Sequence, residues 1–241
     1  MTENSTSTEK GARLGRAKEL VERGELRAAL EELIDTADRV ATVNFHGELA
    51  AWLYNCQKNP DAMLVCGKAG VHIGLRNVDT GSFADKELDR RLKLAVQVLA
   101  NNVAANCWPG WGDEGIVLTT QHVKEGLALA ETSLTIVQEL GPSLEQLAKG
   151  HWLIGALQFS AQDHQAALTS FDLAEKANVD AENRVGALMN RGYRFLVLKR
   201  SSETEKEAAA ELDKILSDLS EDGSKPAQFF VQQLRTADAL L

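Results

Sequence analysis

The sequence predicts an all-α protein, and three observations carry this prediction. Apolar residues recur at helical spacing along most of the chain, as Leu14, Ala17, Leu20 and Val21 do near its start. The hydrophobic fraction is 44%, with only 5% aromatic residues, so Ala and Leu supply most of it and favour helices. No long segment alternates apolar with polar residues, so we expect almost no β-strand.

The first part of the chain is predicted to form five helices after a disordered tail. Residues 1–10 are polar and lack periodicity, which is typical of disorder. Asn59 can cap the helix that Pro60 opens, and Ser82 can cap the next one after a loop over 77–81. The five predicted helices span residues 14–21, 26–40, 45–56, 60–75 and 82–106.

The fourth of these helices contains Gly67, Gly70 and Gly74. Each glycine costs about 0.5–1 kcal/mol relative to Ala in an exposed helix interior. Close packing against a neighbouring helix would offset this cost, and a break near Gly70 is the alternative. Gly67-Lys68 does not indicate a phosphate-binding loop, because Ala69 follows the lysine where that loop needs Ser or Thr.

The middle of the chain is irregular, and six further helices follow it. Residues 107–115 contain Pro109 and three glycines, which stop any helix. Ser143 and Gln146 match a capping box, and Pro226 suits the first turn of the last helix. The six predicted helices span residues 118–140, 143–161, 165–177, 185–196, 208–219 and 226–241.

The segment 154–174 resembles one tetratricopeptide repeat. Gly155 stands where that family has a small residue in the first helix, and Ala167, Phe171 and Ala174 follow its pattern in the second. A second copy is found around Ala29, and a weaker third copy begins at residue 189. The resemblance implies a right-handed α-solenoid of antiparallel helix pairs, with an irregular middle and a C-terminal capping helix. It implies a single helical domain over residues 11–241.

Composition and charge narrow the possible partners. The formal net charge is −9, so a nucleic acid backbone would be repelled on average. The N-terminus has no apolar core and no apolar run could span a bilayer, so we expect a cytoplasmic protein without a membrane partner. Cys56, Cys66 and Cys107 lie on or beside apolar stripes and are expected to be buried free thiols.

No catalytic or metal-binding motif is found in the sequence. Its five histidines are scattered, without a His-Glu-x-x-His or Gly-x-Ser-x-Gly pattern. Asp113, Glu114 and His122 could gather metal ligands, but scattered surface polar groups are the better interpretation. The sequence therefore predicts a protein that is not an enzyme and carries neither a metal nor a cofactor.

Two groups of residues are candidate binding residues. The resemblance implies that first helices line a concave groove, where Asn102, Asn106, Asn190 and Arg194 could contact a peptide. The second group comprises the two indoles and the two acids of the irregular loop: Trp108, Trp111, Asp113 and Glu114. These side chains either form a ligand-binding lip or cover the ends of neighbouring helices, and we favour the second interpretation.

These observations predict that the protein is a non-catalytic adaptor, which binds an unidentified protein or peptide in its groove. The alternative is a small-ligand sensor or an enzyme that uses a pocket around the 108–114 loop together with His122. A self-associating structural module is the third possibility. A closed pocket at the loop would favour the sensor, and an open groove lined by the asparagines would favour the adaptor.

Overall fold

The structure is a computed structural model that describes residues 3–35, 37–80, 86–200 and 204–241. These residues are all-α as predicted: they form eleven α-helices and one 3₁₀ turn, Pro109–Trp111, and include no strand. The helices are α1 Glu3–Glu22, α2 Leu26–Glu32, α3 Arg39–Asn55, α4 Pro60–Thr80, α5 Lys86–Asn106, α6 Thr120–Glu139, α7 Leu144–Ser160, α8 His164–Asp180, α9 Arg184–Leu198, α10 Glu205–Asp222 and α11 Lys225–Leu240.

The chain divides into two compact units, Met1–Val103 and Ala104–Leu241. In the first unit, α1 packs on α2 and α3 packs on α4. In the second, each helix from α6 to α11 packs on the next one along the chain. A single domain over 11–241 stays a prediction, and the candidate site described below lies within the second unit.

The structure differs from the sequence prediction near the N-terminus. Helix α1 begins at Glu3, so residues 3–10 are helical where disorder is predicted. A helix that has formed can extend toward the N-terminus, because each added residue contributes one more hydrogen bond. The predicted helix over 26–40 is two helices. Asp35 Oδ1 accepts hydrogen bonds from the Ala37 and Asp38 backbone N–H groups, which turns the chain before α3.

The glycines of α4 give close packing rather than a break. Helix α4 is continuous from Pro60 to Thr80, so the predicted loop begins too early, while Gly81 and Ser82 lie outside the described residues. A Cβ on any of the three glycines would overlap a side chain of α5. From Gly67, Gly70 and Gly74 the distances would be 2.4 Å to Val103 Cγ2, 2.7 Å to Leu99 Cδ2 and 2.2 Å to Val96 Cγ2. The missing Cβ atoms let the two helices approach.

Two predicted helix caps are confirmed. Asn59 Oδ1 accepts a hydrogen bond of 2.9 Å from the Ala62 N–H at the start of α4. Ser143 Oγ accepts from the Gln146 N–H at 3.2 Å, and Gln146 Oε1 accepts from the Ser143 N–H at 2.9 Å. The second pair is a reciprocal capping box, and it fixes where α7 begins.

Helices α7 and α8 are in close contact around Gly155. A Cβ on Gly155 would lie 2.8 Å from the Phe171 ring, so the ring occupies the space that the glycine leaves. Ala167, Phe171 and Ala174 are all completely buried. The residues that carry the resemblance to a tetratricopeptide repeat therefore form the contact between these two helices.

The prediction of three buried thiols is confirmed for two cysteines and wrong for one. Burial raises the pKa of the Cys66 and Cys107 thiols to about 12, which leaves them unreactive. Cys56 is exposed, because it follows the last residue of α3 and has left the buried face of that helix.

His46 is a buried polar residue of α3. Its side chain is 0% exposed, and its Nδ1 lies 2.8 Å from the Thr42 carbonyl oxygen, to which it can donate. Desolvation lowers the pKa of His46, since burial disfavours the charged imidazolium. Protonation of His46 at low pH therefore destabilises the folded state.

We predict that Ala167→Leu destabilises the protein by about 1–3 kcal/mol, because the larger side chain must enter a filled helix contact. Urea unfolding followed by circular dichroism measures the loss. Gln165→Leu is the control: Gln165 is exposed on the same helix, and its replacement should change stability by less than about 0.5 kcal/mol. Equal effects of the two variants would contradict the close contact.

We also predict that stability falls as the pH is lowered from about 7 to about 5. A histidine whose folded pKa is lowered contributes its full stability above its unfolded pKa, and loses it as the pH falls below that value. His46→Asn keeps a donor for Thr42 but cannot charge, so its unfolding free energy should depend less on pH. A wild-type slope in His46→Asn would reject this assignment.

Candidate ligand-binding site

The irregular segment after α5 folds around a buried indole. Trp108 is 0% exposed, and its ring lies on the backbone of the 3₁₀ turn that follows. A Cβ on Gly110 would lie 2.1 Å from Trp108 Cζ2, so only glycine fits at this position. Gly112 ends the turn with a φ of 67°, a left-handed conformation that glycine adopts without strain.

Trp108 lies at the centre of an aromatic cluster, which comprises Trp108, Trp111, Trp152, Phe171 and Tyr193. Its ring centroid is 4.8 Å from that of Trp111, 5.4 Å from Trp152 and 5.9 Å from Tyr193, all in edge-to-face geometry. Phe171 stacks on Tyr193 at 5.4 Å. The cluster joins the irregular segment to α7, α8 and α9, and edge-to-face pairs contribute about 0.5–1.5 kcal/mol each beyond burial.

Trp111 links this cluster to a cavity. Its Nε1 donates a hydrogen bond of 2.8 Å to the Ala105 carbonyl oxygen, which fixes the half-buried indole. One face of the residue lines a cavity of about 320 Å³ that also borders α7, α9 and α11. Trp108 is therefore packed inward, whereas the half-buried Trp111 also lines the cavity, and the role of the loop stays a prediction.

The wall of the cavity is mainly aromatic. Trp152 of α7, Met189 of α9, and Phe229 and Phe230 of α11 line it together with Trp111. Phe229 is 53% exposed although it is a large apolar residue. Flat rings and a flexible thioether are the side chains that commonly line ligand sites in proteins.

A pair of asparagines forms the polar end of the cavity. Asn183 Nδ2 donates to Asn178 Oδ1 at 2.9 Å, and Asn183 Oδ1 accepts from the Gly186 N–H at 3.0 Å. A Cβ on Gly186 would lie 2.5 Å from both Asn178 Oδ1 and Asn183 Nδ2. Glycine at position 186 therefore leaves room for the asparagine pair.

The turn that holds Asn183 repeats the turn between α7 and α8. Gln162 and Glu182 both have positive φ, at 65° and 56°, and Asp163 and Asn183 cap the helices that follow them. Asp163 can only accept hydrogen bonds, whereas the amide of Asn183 both caps α9 and donates to its neighbour. The side chain of Asn183 thus makes one hydrogen bond more than helix capping requires, namely the one to Asn178.

Two buried polar atoms of the cavity residues have no hydrogen-bond partner among the described residues. They are Trp152 Nε1, a donor, and Gln233 Oε1, an acceptor on a side chain only 6% exposed. A buried polar group without a partner costs about 1–3 kcal/mol. Both atoms lack accessible surface, so protein encloses them although their residues line the cavity.

The four predicted groove residues do not line this cavity. Asn102 is exposed and Asn106 is half-buried on α5. Asn190 is 0% exposed, and its Nδ2 donates to the Gly186 carbonyl oxygen within α9. Arg194 pairs with Asp172 of α8 at 2.9 Å. Asn190 and Arg194 thus make contacts within the second unit, and peptide contact at Asn102 and Asn106 stays a prediction.

The acids of the irregular loop lie apart from the cavity. Asp113 and Glu114 are exposed and do not line it. His122 is buried and closes a capping box, in which its Nδ1 accepts from the Thr119 N–H at 3.0 Å. The structure therefore does not bring these three residues to a common site with Trp111.

Several cavity residues escaped the sequence analysis. The adjacent Phe229 and Phe230 were a usable signal, because consecutive residues on a helix point about 100° apart and cannot both be buried in one face. Trp152 and Gln233 gave no such signal, since their shared cavity depends on how α7 packs near α11.

No protein-family model, curated protein or solved structure matches this chain significantly. Within the described ranges, no three His, Cys, Asp or Glu side chains are grouped to hold a metal ion, and no helix has the length and apolar character needed to cross a membrane.

We predict that Trp108→Ala lowers the unfolding free energy by about 3–5 kcal/mol, because it removes a fully buried indole from the centre of the cluster. Phe229→Ala should cost clearly less, since that ring is half exposed. Urea unfolding of both variants, monitored by circular dichroism, tests this order. Trp108→Ala with wild-type stability would mean that the irregular segment does not organise the second unit.

Proposed function

We propose that this chain is a non-catalytic binding module that holds a segment of a protein partner in the cavity bordered by α7, α9 and α11. The observation that carries the proposal is the apolar wall of the cavity, in which the large side chain of Phe229 is 53% exposed. Monomeric proteins rarely leave grouped apolar side chains exposed without a binding role. The partner remains to be identified by experiment.

A helix-pair solenoid resembling tetratricopeptide proteins is the proposed architecture of the second unit. Its support is that α7 contacts α9 and α9 contacts α11, while α8 and α10 each pack on the helices beside them in sequence. Alternate helices that share one face are typical of stacked helix pairs. First helices begin at Leu144, Arg184 and Lys225, so the pair repeats after 40 and 41 residues, longer than the family's roughly 34.

The chemistry of the cavity supports binding rather than catalysis. Its wall contains aromatic rings, a thioether and amides, and its ionisable side chains are Glu145 and Lys149, both exposed. Catalytic acids and bases usually have strongly perturbed pKa values from burial beside a charged partner. Exposed charges at the edge of an aromatic wall are more typical of a recognition surface.

A small-ligand sensor is the second candidate, and the position of Trp111 favours it. This indole belongs to the irregular loop and also lines the cavity, as a ligand pocket at that loop requires. The two candidate functions differ in what occupies the cavity. A binding module would hold a side chain of its protein partner there, whereas a sensor would hold a free small molecule.

Capture from the native cytosol with matched variants tests the proposal. Phe229→Glu places a charge in the aromatic wall, and Leu173→Glu places the same charge on α8 at a residue that is 45% exposed and does not line the cavity. We predict at least a tenfold loss of the captured partner with Phe229→Glu, and wild-type capture with Leu173→Glu.

Mass spectrometry identifies and quantifies the captured protein, and circular dichroism verifies that both variants remain folded. Equal capture by wild type and Phe229→Glu would contradict the proposal. Capture lost in Leu173→Glu alone would move the binding surface to α8.

A further inference from the structure

We propose that this chain forms a two-fold symmetric dimer, in which one face of α11 packs antiparallel on the same face of a second copy. This inference goes beyond the proposed function, because it concerns a second groove, whose residues do not line the cavity. It rests on the composition of this groove, on two polar side chains without partners and on the charges near its ends.

The face of α11 in question forms the wall of an open groove of about 690 Å³, which Gly112 of the irregular segment also borders. The residues of α11 that line this groove follow helical spacing and are Gln228, Val231, Gln232, Arg235, Thr236, Ala239 and Leu240. Leu240 is 54% exposed. The central parts of protein interfaces are depleted in Lys, Glu and Asp and enriched in Arg. The groove therefore has the composition of an interface.

The charge of the chain also favours a contact through this groove. The formal net charge is −9, so two copies of the chain repel each other on average. No acidic side chain of the described residues lines the groove, and the one charged side chain that does is Arg235. A contact between two copies through this face therefore brings no acids of the groove together.

Gln232 and Arg235 complement each other across a two-fold axis. Both are exposed, and neither makes a hydrogen bond or an ion pair with another described residue. In a two-fold contact, residue i of one copy meets residue j of the other, and j meets i in return. An axis between these two positions places each Arg235 against Gln232 of the second copy. The guanidinium only donates hydrogen bonds and the amide oxygen accepts them, so the pair is satisfied twice.

The charges near the ends of the groove favour antiparallel packing. Gly112 lies beside the C-terminal end of α11, since a Cβ on it would be 3.0 Å from Leu240 Cδ1. The exposed acid Glu114 follows two residues later, whereas the exposed Lys225 is the first residue of α11. Antiparallel packing brings Glu114 of each copy toward Lys225 of the other. It also places the positive N-terminal end of one α11 beside the negative C-terminal end of the other.

The size of the contact predicts a weak, reversible dimer. Helix α11 has 16 residues and is therefore about 24 Å long. Stable interfaces bury about 1,200–2,000 Å² in total, and smaller ones are typical of transient contacts. One pair of helices of this length lies at the low end of that scale, so we expect a Kd of about 1–100 µM.

Sedimentation equilibrium of the full-length chain tests this inference, over concentrations from about 1 to about 300 µM that bracket the expected Kd. About 0.15 M salt screens the repulsion between the two acidic copies beyond about 8 Å. We expect the measured mass to rise from that of one chain to twice that mass as the concentration increases.

A charge reversal and its rescue test the contact between positions 232 and 235. Arg235→Glu removes the donor and adds an acid to the face, so its Kd should be at least about tenfold higher. Gln232→Arg in the same chain places an arginine opposite that acid, and the Kd should return to within about threefold of wild type. Lys206→Glu on α10 is the control: Lys206 is exposed, does not line the groove and undergoes the same change of charge, so the Kd should not change.

Several results would overturn the inference. They are the mass of one chain at every concentration, a dimer that Arg235→Glu leaves unchanged or that Lys206→Glu weakens equally, and assemblies larger than a dimer. A double variant as weak as Arg235→Glu would reject the reciprocal contact. If circular dichroism shows that Arg235→Glu does not fold, Gln232→Glu decides instead: it places an acid opposite Arg235 of the second copy and should tighten the dimer about threefold.

Discussion

The burial of Trp108 is the interaction on which the second unit depends. The segment that follows it cannot form an α-helix, because Pro109 and three glycines lie within residues 109–115. The Trp108 ring nevertheless contacts residues from the 3₁₀ turn, α7 and α9, so the irregular segment is held by the same cluster that packs the helices. Loss of this ring would loosen both the fold and the wall of the cavity.

Glycines, which have no side chain, are as important to the packing of both units as the aromatic rings are. In the first unit, three glycines of α4 leave space for the side chains of α5; in the second, Gly110, Gly155 and Gly186 leave space for Trp108, Phe171 and the asparagine pair. A glycine within a helix lowers the helix propensity of that segment, and close packing offsets this loss. A larger residue would not fit at these positions. The positions of the glycines are therefore set by the neighbouring elements.

Much of the fold could be predicted from the sequence, because helical periodicity and capping are local. Asn59, Ser143 and Gln146 cap the helices as expected, and the glycines of α4 pack closely as one of two predicted outcomes. The turn before α3 was missed, since it depends on backbone N–H groups that donate to the Asp35 carboxylate, and these hydrogen bonds compete with the helix.

The candidate site could be predicted only in part. Trp111 was identified because the irregular loop carries two of the four tryptophans beside two acids, whereas Asn190 was selected by spacing and is completely buried. The spacing of residues in the sequence shows which of them share a face of a helix, but it does not show which neighbouring element covers that face. Gln233 and Trp152 line the same cavity although they lie on α11 and α7, and no local pattern in the sequence encodes how these helices are arranged.

Photo-crosslinking in the native cells tests most directly the proposal that the aromatic wall is the binding surface. A p-benzoylphenylalanine at position 229 replaces one aromatic ring by another and reports what lies against it, and the same residue at position 173 reports on α8. The account predicts a discrete crosslinked partner from position 229 and none from position 173. Crosslinks from position 173 alone would contradict it.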